Sequence, residues 1–529
     1  MDVAVTDSRG RPVRDLSAAD FVLYEDNRVA PLAVFAPPSR DGDERRPSRP
    51  PGPAPVAPPA APEREPVTFV LYVDNWNLTP EDRWRVLPGL TSFLKDQLAR
   101  GGARVLVISA GEETHLLSPL TSDVETVVAA LRSAQREPAH GHITRSDERQ
   151  AIDTVKNMLE SGLGSCADSA GIMLLQAPIR FQAQVRSQDL QSTLTRLEAV
   201  TRALGTLPGS KALFYVSGGL EQRPAIDLFN QLGDICPAAL QRDFSTLLAP
   251  MQEYDLSRSL QALAARANAA RVTLYPIDAS GLGGSSLADP SQANRLFVPS
   301  PKTTRIRAEN LRAGEWILAE ETGGSAVFNA NEPQKPLAQL AGQIRGAYAL
   351  GFTPAHEPEG RIHSLRVELK RKGPRVRSTP SYFHAERPEP GVSRTLAALL
   401  VGLQEDTLGA LVSIDPQPSD PEAKPGSGTA NVRISVPLAR LAAAEDAAER
   451  HGRLRVVIAV WRAGTGASEH PFDVREQLID VPLPPSSSSS QGERREFVVT
   501  VPLGAGHHEI AVGVHDLYSW LVSYRRVSP

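Results

Sequence analysis

Nothing in this sequence approaches the run of about twenty apolar residues that a bilayer-spanning helix requires, so no membrane span is expected. Positive charge is not in excess either. Fifty-seven Lys and Arg stand against 61 Asp and Glu, a net charge of −4, whereas a dedicated nucleic-acid binder needs a concentrated basic surface. Cysteine is scarce: Cys166 and Cys236 are the two in the chain. That count fits a reduced cytosolic protein as well as a single disulfide outside the cytosol. No export signal is visible, because Met1 leads straight into strand-like sequence. The opening reads as a strand already in progress, so the gene product is expected to start further upstream, where an export signal has room.

Proline, by contrast, is plentiful, with 45 in 529 residues, and it clusters. Residues 37–66 are proline-rich with scattered charge, a composition that buries too little apolar surface to offset the entropy of ordering. They read as an extended linker, with a polyproline ligand for an aromatic groove as the other reading. A chain of this length is expected to hold two to four domains. Ahead of the linker, residues 1–36 alternate apolar and polar around two turns, at 7–12 and 25–27, which predicts a small β module.

Beyond the linker, residues 68–73 form a near-continuous apolar, β-branched and aromatic run, the pattern of a strand buried on both faces of a parallel sheet. The run ends in Asp74, Asn75 and Asn77, just where ligands of open α/β sheets bind. A helix follows over 82–98, with Trp84, Leu87, Leu90, Leu94 and Leu98 at helical spacing. Further strands are read at 103–109, 211–216, 271–277, 346–353 and 363–370. They alternate with helices at 122–133, 147–163, 187–204, 309–322 and 332–345. This alternation predicts a doubly wound, mostly parallel α/β domain over 67–387, carrying a helical insert at 141–207. From 388 to 529 short strands recur at sandwich-like spacing, which predicts an antiparallel, immunoglobulin-like β-sandwich. An Ala-rich helix is expected at 438–450 and a flexible polyserine loop at 486–490.

Five phrases in order, VTDSRGRPVRDLSAADFVLYEDN (5–27), FVLYVDNWNLTP (69–80), LPGSKALFYVSGGL (207–220), LAEETGGSAVFNAN (318–331) and GAYALGFTPAHEPEGRIHSLRVELKRKG (346–373), carry a resemblance. The chain resembles proteins with a von Willebrand factor type A domain, and among them a bacterial subgroup with flanking β modules. The resemblance implies a Rossmann-like sheet, protein binding or adhesion without catalysis, and an exported protein. It also implies a metal-ion-dependent adhesion site, in which oxygen ligands hold Mg²⁺ and a partner's carboxylate fills the open position. Carried onto this chain, Asp74 matches the first Asp of the Asp-x-Ser-x-Ser pattern. The two Ser positions hold Trp76 and Leu78, the later Asp falls at Gly218, and Thr144 is a loose match for the Thr.

Two readings of Asp74 follow. In one, Asp74, Asn77 and Asp278 make a variant site that binds Mg²⁺ or Ca²⁺ weakly. In the other, Asp74 and Asn77 cap the next helix or hold loop amides, as Asx residues at turns often do. The partner-binding face expected on either reading comprises Asn75, Trp76, Thr144 and Ser217. A disulfide between Cys166 and Cys236 would tie the helical insert to the helix after the 211–216 strand; two unrelated buried thiols are the alternative. His140 and His142, and the pair His507 and His508, lack further ligands at metal spacing and read as loop histidines. Ser217 lacks the Gly-x-Ser-x-Gly context of a nucleophile. The expected function is therefore non-enzymatic protein binding to an unknown partner through the top of the α/β domain. A structural subunit of a cell-envelope assembly is the alternative, and a metal-dependent hydrolase would need a cluster of titratable residues that the sequence does not display.

Overall fold

The structure, a computed structural model, describes residues 1–38, 67–111, 114–205, 207, 209–242, 250–281, 300–328, 333–354, 356–357, 359–384, 390–417, 428–443, 450–462, 472–483, 493–503 and 508–527. These divide into two compact units. Residues 1–111, 121–201 and 208–385 make the first; 112–120, 202–207 and 386–529 make the second. The architecture is mixed α/β, with one sheet built on parallel strands and several antiparallel sheets. The proline-rich residues 39–66 and the polyserine loop fall outside the described residues.

The chain opens with β1 (Asp2–Thr6), β2 (Phe21–Glu25), β3 (Arg28–Ala30) and β4 (Leu32–Ala36). The apolar run then forms β5 (Val67–Asp74), whose residues are buried from Thr68 onward. β5 pairs in parallel with β6 (Ala103–Ala110). After β7 (Thr114–Thr121) the chain crosses to β8 (Lys211–Ser217), parallel to β5 on its other side, and then to β9 (Val272–Asp278), parallel to β8. The sheet order is β7-β6-β5-β8-β9. Strand order thus reverses at β5, and the loops after β5 and β8 flank the crevice that forms at such a reversal.

Helix α1 (Pro80–Ala99) begins in a capping box. Thr79 Oγ1 accepts from the Asp82 amide at 3.2 Å and Asp82 Oδ2 from the Thr79 amide at 3.0 Å, with Pro80 in the first turn. Its buried face holds Leu87, Leu90, Leu94 and Leu98. Trp84, assigned to the same stripe from the sequence, lies at its rim and is 68 % exposed.

Helix α2 (Val124–Arg136) is followed by two long helices, α3 (Gly141–Glu160) and α4 (Ser169–Leu204). Helix α4 runs 36 residues and continues through Pro178, whereas the sequence reading begins it only at 187. The missing proline amide costs one bond of the ladder, and burial outweighs it. Ile172, Leu175, Ile179 and Ala183 of α4 pack with Ala151, Ile152 and Val155 of α3, and with Leu228, Phe229 and Leu232 of α5 (Ile226–Ile235). A disulfide joins Cys166, between α3 and α4, to Cys236 at the end of α5, with Cα atoms 5.4 Å apart.

The strands expected to finish the α/β layer do not belong to it. β10 (Tyr348–Phe352) pairs with β1 and β4, and β11 (Arg361–Leu369) with β2. With β12 (Arg375–Ser378) and β13 (Ser381–His384) they form two four-stranded sheets, β12-β1-β10-β4 and β13-β11-β2-β3. Val3, Val5, Leu16, Phe21, Leu23, Tyr348, Leu350, Leu365 and Val367 are its core. Residues 1–36 are therefore not a module by themselves. They are half of a sandwich whose other half, β10 to β13, lies more than three hundred residues later, so these late strands leave the α/β layer, while the first unit itself ends at 385, beside the expected boundary at 387.

In the second unit the strands are β14 (Glu405–Asp406), β15 (Leu411–Gln417), β16 (Gly428–Pro437), β17 (His451–Arg462), β18 (Phe472–Pro482), β19 (Arg494–Leu503), β20 (His508–Asp516) and β21 (Val522–Val527). They make two antiparallel sheets, β14-β21-β20-β17-β18 and β15-β16-β19. Alternate residues such as Val432, Ile434, Val456, Ile458, Ile510 and Val512 fill the space between them. Of the Ala-rich helix expected at 438–450, the described residues 438–443 hold one 3₁₀ turn, Leu438–Arg440; residues 444–449 fall outside the described residues.

Candidate functional site

The crest of the parallel sheet is where the sequence directs attention, and its polar side chains are turned inward. Asp74, at the end of β5, is 1 % exposed. Its Oδ2 accepts from the Tyr215 hydroxyl at 2.5 Å, from Asn77 Nδ2 at 2.7 Å and from Ser217 Oγ at 3.1 Å. Burial, and then the neighbouring Asp74, raises the Tyr215 hydroxyl well above the usual phenol range, so it stays a donor. An ion on this oxygen has to displace at least one of the three. Neither Asp74 nor Asn77 caps α1; Thr79 does that.

Asp278 ends β9, two strands from Asp74, beside Ser217 in the register. Its Oδ1 accepts from the Ser280 amide at 2.9 Å and from the Ser280 hydroxyl, and its Oδ2 from Arg312 Nε at 3.3 Å. Of the expected trio, the structure thus brings Asp74 and Asn77 together and leaves Asp278 in a separate network. Gly218, where the resemblance puts an Asp, has no room for one: an added Cβ would run into the Asn77 carbonyl oxygen. Gly141 presses on the same loop from the other side, with its amide on the Leu78 carbonyl at 3.0 Å and an added Cβ 2.9 Å from that oxygen. The loop of residues 75–79 is wedged between these two glycines.

The partner-binding face expected from the sequence needs correction for the same reason. Asn75 is fully buried; its Nδ2 donates to Ser109 Oγ at 2.7 Å and its Oδ1 accepts from Arg83 Nη1 at 3.2 Å. Ser217 is fully buried as well, its single hydroxyl proton within reach of both Asp74 and the Gly219 carbonyl. Thr144 falls in α3, and its side chain lies outside the described residues. Trp76 is half-buried. It stacks on His140 at 5.0 Å between centroids, with the Arg196 guanidinium 5.9 Å from its ring.

Two features escaped the sequence reading. Glu315, on the helix Pro301–Glu321, is fully buried, and neither carboxyl oxygen has a hydrogen-bond partner among the described residues. Burial, then Asp278 and Asp74, push its carboxyl well above the usual carboxylate range, which favours the protonated form. Its sequence signal is weak, because a helical Glu ordinarily faces water. The second feature lies in the first sandwich. Among the described residues one group of side chains has ligand atoms close enough to share an ion: His356, His363 and His384. The signal for it was present at His363, an inward position of β11 in step with Leu365 and Val367. Its companions meet it only through strand pairing.

No family model matches the sequence, and no curated protein does. Among solved structures, the three N-terminal domains of the type V pili tip protein Mfa5 from Porphyromonas gingivalis align with 10% identity over 90% of this chain and 75% of that one, at a TM-score of 0.26. The human COPII-coat protein Sec24c aligns with 8% identity over 88% of this chain and 44% of its own, at 0.14. At such scores neither likeness carries an argument about this chain.

Proposed function

We propose that this chain is a non-enzymatic protein-binding module whose α/β layer is of the von Willebrand factor type A kind with a degenerate adhesion site. In this reading it engages its partner through the outer face of α4 rather than through an ion at the crest. The sheet order around β5 supports the layer's kinship. The observation that carries the binding surface is the stripe Met173, Leu174 and Phe181, which are 60%, 52% and 69% exposed. With Ala170 and Ala177 they fall within about a 100° arc of one helix face. Large apolar side chains grouped on one exposed face mark interaction sites more often than scattered ones do. The Cys166–Cys236 disulfide ties down the chain just before α4, at the end of the helix that carries the stripe, and fits a protein exported to an oxidising compartment.

The test is photo-crosslinking in extracts of the source organism, with benzoylphenylalanine at Met173 or Phe181 and, as control, at the exposed Glu160. One discrete adduct is expected from 173 and 181, insensitive to chelator, and absent when Phe181→Asp accompanies the probe at 173. No adduct, the same adduct from 160, or an adduct abolished by chelator overturns the reading.

A second reading, a structural subunit of an envelope assembly, draws on Trp520. This residue is 81 % exposed and sits at a positive φ of 61°. Its turn is braced by the buried Asp516, which accepts from the amides of Ala442 and Tyr518 and from Ser519 Oγ. A large aromatic held out on a strained, braced turn is suited to anchor an interface. Under this reading Trp520→Ser abolishes assembly and Phe181→Asp is silent.

A further inference from the structure

We propose that His356, His363 and His384 are the ligands of a Zn²⁺ site in the first sandwich, backed by Asp26 and Glu25. The site is assembled by the turn after β2. Asp26 and Asn27 both take positive φ, 46° and 64°, as a two-residue hairpin turn requires. This turn sets the Asp26 carboxylate against β11. Its Oδ1 accepts from the Ser364 amide at 2.9 Å and its Oδ2 faces His363 Nδ1 at 2.8 Å. A carboxylate only accepts, so the proton of His363 is on Nδ1 and Nε2 is left as a bare lone pair. His363 is fully buried, and that Nε2 has no hydrogen-bond partner among the described residues.

The other two rings complete the arrangement. His356 lies flat against His363, centroids 4.0 Å apart and planes 17° from parallel. Its Nε2 is 3.3 Å from Glu25 Oε1, and its Nδ1 is 3.2 Å from Nδ1 of His384. Glu25 is itself buried and fixed by the Tyr382 hydroxyl at 2.5 Å. His356 has Glu25 near its Nε2 without a hydrogen bond, and its Nδ1 faces the Glu357 carbonyl as well as His384, whereas His363 has a carboxylate behind Nδ1 and presents Nε2 to the cluster. The His363 arrangement is the outer-shell pattern that orients metal-binding histidines. One ligand atom from each of the three lies within 4.8 Å of the others. Bonds of about 2.0–2.1 Å in a tetrahedron set ligand nitrogens about 3.3 Å apart, close to the spacing of the two Nδ1 atoms. Glu359 Oε1, 4.0 Å from His356 Nδ1, is within reach of a fourth position, which water otherwise takes.

Three neutral rings packed for their apolar surface would account for the stacking but not for the bare buried lone pair. Three imidazolium ions would repel one another at this range. Imidazole donors select a borderline ion such as Zn²⁺ over Mg²⁺ or Ca²⁺, which take oxygen. Bound there, the ion links the segment between β10 and β11 (His356), β11 (His363) and the end of β13 (His384). Through Asp26 and Glu25 it also ties them to the N-terminal strands.

The experiment is equilibrium dialysis of the metal-stripped full chain against Zn²⁺ and Co²⁺, with thermal melts alongside. One ion per chain is expected, with a tetrahedral Co²⁺ visible spectrum and a melting temperature that rises with Zn²⁺ and not with Mg²⁺ or Ca²⁺. His384→Gln and His356→Gln, neither of them fully buried, are each expected to lower affinity at least about tenfold while the apo protein keeps its circular dichroism. Asp26→Asn is expected to weaken binding by about 10–100-fold without changing the stoichiometry. Failure to bind Zn²⁺ overturns the assignment. So does binding that survives both His384→Gln and His356→Gln, since the ion would then sit on other histidines.

Discussion

Replacing Glu315 with methionine is expected to stabilise the first unit, and more so as pH rises. Its carboxyl is fully buried without a hydrogen-bond partner among the described residues, and burial with Asp278 and Asp74 nearby raises its pKa well above 4.5. Burying such a neutral polar group uncompensated costs about 1–3 kcal/mol by mutational measures. Methionine keeps the unbranched shape and a good helix propensity, and removes that cost. Linkage adds to it. A carboxyl with a raised folded pKa binds more protons folded than unfolded at pH values above 4.5. Stability therefore falls as pH rises through that window, by about 1.4 kcal/mol per unit while the native proton is held.

As pH rises above the ordinary carboxylate range the natural chain is thus expected to lose stability that Glu315→Met does not lose. The assay is scanning calorimetry at pH 5, 6, 7 and 8, where about 2–4 °C of melting temperature corresponds to each kcal/mol in a unit of this order of size. A variant less stable than the parent at every pH, with parallel pH profiles, would show that the carboxylate is charged and paired, and would refute the argument.

Three other outcomes are expected. Burial, then Arg455 and Arg394, lowers the His515 pKa to about 4 from 6.5. The unfolded chain therefore takes up a proton there first as pH falls, stability drops between pH 6.5 and 4, and His515→Gln flattens that part of the unfolding profile. Reducing Cys166–Cys236, which closes a sequence separation of 70 residues, is expected to cost about 4 kcal/mol by chain entropy, read as a lower denaturant midpoint of the first unit. Gly218→Asp, which restores the family's missing acid in name, is expected to destabilise by about 1–3 kcal/mol through its clash with the Asn77 carbonyl. It should yield no Mg²⁺-dependent rise in melting temperature; such a rise would revive an adhesion site at the crest.

What the sequence made legible follows from how local each signal is. β5 and β8 are buried on both faces, and an uninterrupted apolar run states that directly. The strands of the second unit alternate, and their positions are readable for the same reason. Partners are another matter. Nothing in residues 348–384 distinguishes a strand that joins β9 from one that joins β1, because pairing at such separation is decided by the assembled layers. Pro178 hid half of α4, since its local cost is visible and the burial of Ile172, Leu175 and Ile179 that offsets it is not. At the crest, Asp74 stood out correctly as a strand-end acid, yet its three donors come from β8 and its own loop. The histidine group shows the limit most plainly: His356, His363 and His384 sit at unremarkable spacings and converge through the pairing of β11 with β13.

The way the first sandwich is stitched also bears on how the chain is born. Strands β1 to β4 are the N-terminal half of a host into which the whole α/β layer is threaded as a guest, and the host closes only when β10 to β13 emerge about 350 residues after Ala36. At ribosomal speeds of about 5–20 residues per second, that is roughly 20–70 s during which the early strands wait with open edges. The guest can complete its own core in that interval, and its ends then deliver the late strands to the early ones. A circular permutant that begins at β10 and carries β1 to β4 after β13 would shorten that wait to seconds, and a gain in its yield during synthesis would measure how much the waiting costs.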